Sequence, residues 1–251
     1  MSATNTNTMS TAIETHIIPP RSEHTHTIIL VHGRNSTGPE FTSEILAGIN
    51  NNAAVFEGLK WVFPTAPASW SEQFQEDLTE WFDLASTSNP YNEPERQVAG
   101  LEASVASINA IIDEELKHIP ASGLILGGIS QGYATAAHVL LTRKERLGGF
   151  LGISGWLPFC HTLRNIISTP SNLPKYMANV HIKNNEGIPM LLTHSKDDEV
   201  IEIEFGRQAC AAWGALGLKP IYVEYEDGGH EIQEPRGYND IEGFLVRIIG
   251  R

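Results

Sequence analysis

Two rhythms of apolar and polar positions alternate along this chain. Short apolar runs recur at 27–31, 61–63, 124–126, 149–153, 190–193 and 221–225. They are short and rich in branched or aromatic residues, as strands are. Between them lie segments with helical spacing at 41–49, 97–118, 131–143, 203–216 and 238–249. The clearest is 97–118, where Val98, Leu101, Val105, Ile108, Ile111, Ile112 and Leu116 share one face of a 3.6-residue repeat. Apolar strands interleaved with amphipathic helices predict an α/β architecture, a mainly parallel central sheet with helices on both faces. The Thr- and Asn-rich head follows neither rhythm. Residues 1–20, closing on Pro19-Pro20, therefore read as a flexible tail, and residues 21–251 as a single domain.

The strand at 124–126 runs into Gly127-Gly128-Ile129-Ser130-Gln131-Gly132 and then into an alanine-rich helix. A G-x-S-x-G run between strand and helix is the pattern of a nucleophile elbow. The turn is so sharp that the residues two positions either side of the serine must lack a Cβ. A serine hydroxyl is a poor nucleophile at neutral pH. An imidazole must take its proton, and a carboxylate must fix the imidazole tautomer. Open α/β sheets build their sites at the C-terminal ends of strands. Two such ends offer partners: Asp197-Asp198 after the strand at 190–193, and Gly228-Gly229-His230 after the strand at 221–225. Ser130, Asp198, His230 is the chain order of α/β-hydrolases. Asp197 is the alternative acid, and one of the two carboxylates caps the helix that follows. The backbone N–H groups of Arg34, after the first strong strand, and Gln131, after the serine, are the natural oxyanion donors. His32 and His194, at strand ends, read as residues that hold loops in place. Trp81 and Trp156 fit either a groove or the core.

Composition narrows the partners. The formal net charge is −13, which argues against nucleic acid and against attachment to anionic lipid. Only two cysteines occur, Cys160 and Cys210; they imply no disulfide framework and fit core thiols in a reducing, cytoplasmic compartment. No apolar run has the length of a membrane span, and the polar head lacks the pattern of a secretory signal. His24-Thr25-His26 offers too few ligands for a metal site, so no metal or organic cofactor is expected.

From about residue 27 to residue 249 the motifs resemble, in order, those of the acyl-protein thioesterase/carboxylesterase family of α/β-hydrolases. Leu30-Val31-His32-Gly33 resembles the strand and oxyanion turn, and Thr65-Ala66-Pro67 the x-A-P that follows the second strand. Trp81-Phe82-Asp83 matches W-F-D, and Gly127-Gly128-Ile129-Ser130-Gln131-Gly132 resembles G-G-F-S-Q-G. Ser154-Gly155-Trp156-Leu157-Pro158 matches S-x-W-L-P, His194 to Asp198 matches H-G-x-x-D, and Tyr225 to His230 ends in the family histidine. The resemblance implies a serine hydrolase of acyl esters and thioesters. It favours Asp198 over Asp197, and places Trp81, Trp156 and Leu157 at the substrate. Three departures stand out. Arg34 puts a bulky cation where the family often has an apolar residue, Ser195 replaces the usual glycine after His194, and the Ser-, Asn- and Pro-rich segment 84–96 matches the loop over the acyl groove in position only. The apolar Trp156-Leu157-Pro158-Phe159 stretch fits a groove or a dimer contact, so monomer and homodimer both stay open. Two rival functions also stay open: acyl transfer to a hydroxyl of the same substrate, giving a lactone, and ligand binding without turnover.

Overall fold

Strand β1 (Thr15–Ile18) opens the computed structural model, which describes residues 13–51, 53–164, 173–178 and 180–250. There follow β2 (His26–Val31), α1 (Gly38–Gly48), β3 (Leu59–Pro64), β4 (Ala68–Ser71), β5 (Glu76–Thr79) and α2 (Pro94–Glu115). The second half runs β6 (Leu124–Ile129), α3 (Gln131–Thr142), β7 (Gly149–Ile153), α4 (Cys160–Arg164), β8 (Met190–Ser195), α5 (Ile203–Ala215), β9 (Ile221–Tyr225) and α6 (Arg236–Ile249). Seven strands form one sheet in the order β1-β3-β2-β6-β7-β8-β9, parallel throughout except for β1. β4 and β5 pair separately as an antiparallel hairpin. The expected α/β architecture is present. No helix among the described residues is long and apolar enough to cross a membrane.

The two-residue period of each strand divides the core. Ile29, Val31, Leu124, Leu126, Phe150 and Leu192 pack on one face with Leu101, Ile108 and Ile112 of α2, the alanines of α3, and Trp213 of α5. Ile28, Leu30, Ile125, Leu151, Ile153 and Leu191 pack on the other with Phe41 and Ile45 of α1 and Ile241, Phe244 and Leu245 of α6. Burial of each such side chain stabilises the fold by roughly 1.5–3 kcal/mol. Because both faces are covered, the central strands read as unbroken apolar runs rather than as alternating ones.

Three features depart from the expectations above. Residues 15–18, assigned to a flexible tail, form β1 and pair antiparallel with β3 from Thr15↔Pro64 to Ile18↔Trp61. The open backbone of β3 supplies the ladder, and Ile18 packs beside the core. Thr15 and His16 hide that strand from an apolar pattern; residues 1–12 of the assigned tail lie outside the described residues. The β4–β5 hairpin has no apolar signature, since β4 is mostly exposed. α2 begins at Pro94 rather than 97, because proline suits the first helical position, where its missing N–H costs nothing.

The elbow is built on close backbone approach. Ser130 sits at φ 55°, ψ −122°, in a region that L-residues rarely occupy. A Cβ on Gly132 would fall inside van der Waals contact of the Val31 carbonyl oxygen, and one on Gly128 would lie 2.7 Å from the same atom. That oxygen is backbone and cannot step aside. Gly132→Ala is therefore expected to destabilise the protein by about 1–3 kcal/mol or more, as overpacking does. Gly243, on the exposed face of α6 with open space around it, should gain about 0.5–1 kcal/mol on Gly243→Ala. Denaturant unfolding of both variants checks the pair, and equal effects would contradict the packing.

Candidate active site

Three loops at the C-terminal edge of the sheet bring the expected side chains together. Ser130 leaves β6 and starts α3, with its N–H bonded to the Ile153 carbonyl at 2.9 Å. His230 follows β9 on Gly228 and Gly229, both at positive φ. Asp198 follows β8. His230 Nε2 lies 2.9 Å from Ser130 Oγ, and His230 Nδ1 lies 2.8 Å from Asp198 Oδ2. The carboxylate can only accept, so Nδ1 carries the proton and Nε2 is left to accept the Ser130 hydroxyl proton.

Asp198 is buried and well satisfied. Its Oδ1 accepts the N–H groups of Val200 and Ile201, each at 2.9 Å. Its Oδ2 also lies 3.1 Å from Nε2 of the buried His194, which bonds the Ile201 carbonyl at 2.8 Å. That carbonyl can only accept, so His194 Nε2 bears a proton and points it at both oxygens. Burial pushes the Asp198 carboxyl upward, but the bonds from His194 and His230, the His230 charge and the Ile201 N–H outweigh it and hold the pKa at about 2. The neighbouring acid does something else: Asp197 Oδ1 accepts the Gly229 N–H at 2.9 Å and ties down the loop that carries His230. The Asp-Asp doublet was visible in the sequence; the division of labour depends on where β9 ends.

A cavity of about 250 Å³ opens beside Ser130 and His230. Phe41, Leu84, Ile129, Trp156, Val200 and Ile201 give it apolar walls, while Arg34, Glu44 and Glu231 bring charge. Trp156, although also part of the core, is thus at the cavity. Trp81 and Leu157 are not: both are buried in the core. Trp81 is drawn inward by its polar bonds, since its indole N–H donates to the His32 carbonyl at 2.8 Å and its backbone N–H to Gln131 Oε1 at 2.8 Å. Leu157 has no polar group to keep it at a wet surface. The Arg34 guanidinium lies 4.3 Å from the centre of the Phe74 ring and donates to Gln73 Oε1 at 3.1 Å, both on the β4–β5 turn. Burial lowers its pKa, opposed by Glu80 and Asp83.

Glu44 is the residue that sequence reasoning missed. It sits on α1, a surface helix by its pattern, and nothing local marks it as a cavity residue. Its Oε1 is buried without a hydrogen-bonding partner in the structure. Burial, then the charge of Glu231, push its pKa up to about 7, against the pull of His230. The other singled-out residues have ordinary surroundings. His24 and His26 bond Thr27 and Thr25, Cys160 is a buried free thiol, and Cys210 is half-buried.

The chain is similar to known proteins along almost its whole length. The phospholipase/carboxylesterase family matches residues 13–249. The chain is 29% identical over 240 residues to acyl-protein thioesterase 1 of Emericella nidulans, covering 93% of this chain and 94% of that protein. It is 30% identical over 213 residues to acyl-protein thioesterase 1 homolog 2 of Dictyostelium discoideum, covering 84% and 86%. The crystal structure of Zea mays acyl-protein thioesterase 2 superimposes with a TM-score of 0.77 at 27% identity, over 95% of this chain and all of that one. A match across nearly the whole chain, on a sheet and strand-end loops of this form, makes the protein a member of the phospholipase/carboxylesterase family of α/β-hydrolases.

Proposed function

We propose that the protein hydrolyses acyl esters or thioesters through an acyl-enzyme on Ser130. The hydrogen-bonded row from Ser130 Oγ to His230 to Asp198 carries this reading. Ser130 Oγ attacks the acyl carbonyl carbon while its proton passes to His230 Nε2. The carbonyl oxygen becomes an oxyanion, held by the N–H groups of Arg34 and Gln131 and favoured by the positive end of α3. Collapse expels the thiolate or alkoxide, which takes the proton back from His230. Water then repeats the sequence and releases the free acid. Asp198, held near pKa 2, stays ionised throughout and stabilises the imidazolium. A cavity of about 250 Å³ lies just below the ~300–1,000 Å³ of most ligand pockets, which supports short to medium acyl groups over long ones. The acyl-protein thioesterase relatives support a thioester among the substrates.

A series of p-nitrophenyl esters and acyl thioesters of graded chain length, with products read by mass, tests this. Ser130→Ala is expected to lower kcat on the order of 10⁴–10⁶-fold without loss of fold, and Asp198→Asn by ~10⁴-fold. Retained turnover by Ser130→Ala sinks the assignment. Serine-dependent release of free acid, fastest below palmitoyl length, supports it; a lactone product instead would mean intramolecular acyl transfer.

Glu44 adds a pH dependence. Its folded pKa is raised to about 7, so it is neutral below that pH and negative above it. An acyl group that ends in a carboxylate, such as succinyl, meets growing repulsion as pH rises through 7, and a neutral isostere does not. The ratio of kcat/KM for neutral over anionic substrate should climb between about pH 6 and 8 in the wild type. The climb should vanish in Glu44→Gln; if it persists there, another group governs it.

A further inference from the structure

On the reading above, the Arg34 N–H binds the oxyanion, and it belongs to the peptide unit that joins Gly33 to Arg34. A peptide unit is planar and trans, so its C=O and N–H point in opposite directions. Whatever holds the Gly33 carbonyl therefore aims the Arg34 N–H. His32 Nδ1 lies 2.6 Å from that carbonyl oxygen. The other ring nitrogen, Nε2, lies 3.0 Å from the Ala66 backbone nitrogen, which can only donate. Nε2 is thus the acceptor, Nδ1 carries the proton, and Nδ1–H donates to Gly33. Burial lowers the His32 pKa to about 4, so the ring stays neutral in this tautomer. The Gly33 backbone is also close to the nucleophile: a Cβ built on it would touch Ser130 Cβ at 3.4 Å.

His32 is itself tied to the elbow. Its carbonyl accepts the Trp81 indole N–H at 2.8 Å, and the two rings lie 5.0 Å apart. The Trp81 backbone N–H donates to Gln131 Oε1 at 2.8 Å, and Gln131 Nε2 donates to the Phe82 carbonyl at 2.7 Å. Ser104 Oγ closes the segment by donating to the Trp81 carbonyl at 2.5 Å. Gln131 also owns the second oxyanion N–H. One buried network, with His32, Trp81 and Gln131 each 2% exposed or less, thus runs from one donor to the other. Fully satisfied buried networks are rigid, because each broken bond leaves an unpaired group in a low dielectric.

We propose that His32, Trp81 and Gln131 are positioning residues whose side chains form a hydrogen-bonded strap that fixes the direction and spacing of the Arg34 and Gln131 N–H donors. The three side chains act through the two N–H donors rather than as donors to the oxyanion themselves. The strap's effect falls on the transition state, because the donors meet the full negative charge only there. A purely structural role would lower stability and leave the chemistry of the folded enzyme intact.

The test compares Trp81→Phe, His32→Leu and His32→Asn with the wild type. Trp81→Phe keeps an aromatic ring and loses the indole N–H together with some buried volume, and the thermal midpoint reads the volume loss. His32→Asn keeps a donor near the place of Nδ1, and His32→Leu keeps none. Each is assayed for kcat, KM, thermal midpoint, and inhibition by an alkyl trifluoromethyl ketone and by the product acid. The ketone reports on the donors. Ser130 Oγ bonds to its carbonyl carbon, the hydroxyl proton moves to His230 Nε2, and the carbonyl oxygen becomes an oxyanion. Trp81→Phe should lower kcat and ketone affinity together by ~10–100-fold, the scale of a small misplacement, with KM and acid affinity unchanged. His32→Leu should lose at least as much, and His32→Asn should recover part of it. If His32→Leu does not fold, Trp81→Phe and His32→Asn carry the test. Folded Trp81→Phe with wild-type kcat and ketone affinity overturns the proposal, and so does a loss seen only in KM. If the ketone fails to inhibit the wild type and Ser130→Ala still turns over, the serine reading and the strap fall together. If those two controls hold and the variants are unaffected, the strap alone falls.

Discussion

The close passage of the α3 N-terminus over the end of β2 is the constraint on which the rest of the site depends. Gly128 and Gly132 let the elbow press against the Val31 carbonyl, at a distance no side chain allows. That contact forces Ser130 to positive φ, a strained conformation that the surrounding structure must hold. The Ser130 N–H bonded to Ile153 and its carbonyl accepting the Ala134 N–H do so from both sides. The same passage sets Gly33 beside Ser130, so the loop after β2 and the elbow share one packing contact. A small residue at either position is thus a condition of the fold and of the place Ser130 takes in it.

Two carboxyls near His230 show how surroundings decide chemistry for one functional group. Asp198 is more buried than Glu44, yet it is the stronger acid. Four donors converge on it, from His230, His194, Val200 and Ile201, and they outweigh the cost of removing it from water. Glu44 has a buried oxygen without a bond and a second carboxylate, Glu231, nearby. One therefore stays charged down to about pH 2, and the other titrates near neutrality. Burial raises both carboxyls, and the donors around each decide the order.

The apolar rhythm by itself determined the alternation of strands and helices. The spacing of Gly128, Ser130 and Gly132, with Asp198 and His230 after two later strands, determined which residues meet. These are backbone and order constraints, and local sequence carries them: a turn this tight excludes a Cβ, and a buried parallel strand must be apolar throughout. What only the tertiary structure decided is which side chain faces which. It paired Thr15–Ile18 with an open sheet edge that no pattern within those residues reveals. It gave Asp198 to His230 and Asp197 to Gly229, although the two acids are adjacent. It turned Trp81 from an expected groove residue into a buried brace, and it set Glu44 of α1 at the cavity. Such choices depend on partners that lie 32 residues away for Asp198 and 49 for Trp81. The free energy of a buried polar group is set by the donors and acceptors that surround it in space, and those neighbours are assembled only when the sheet closes.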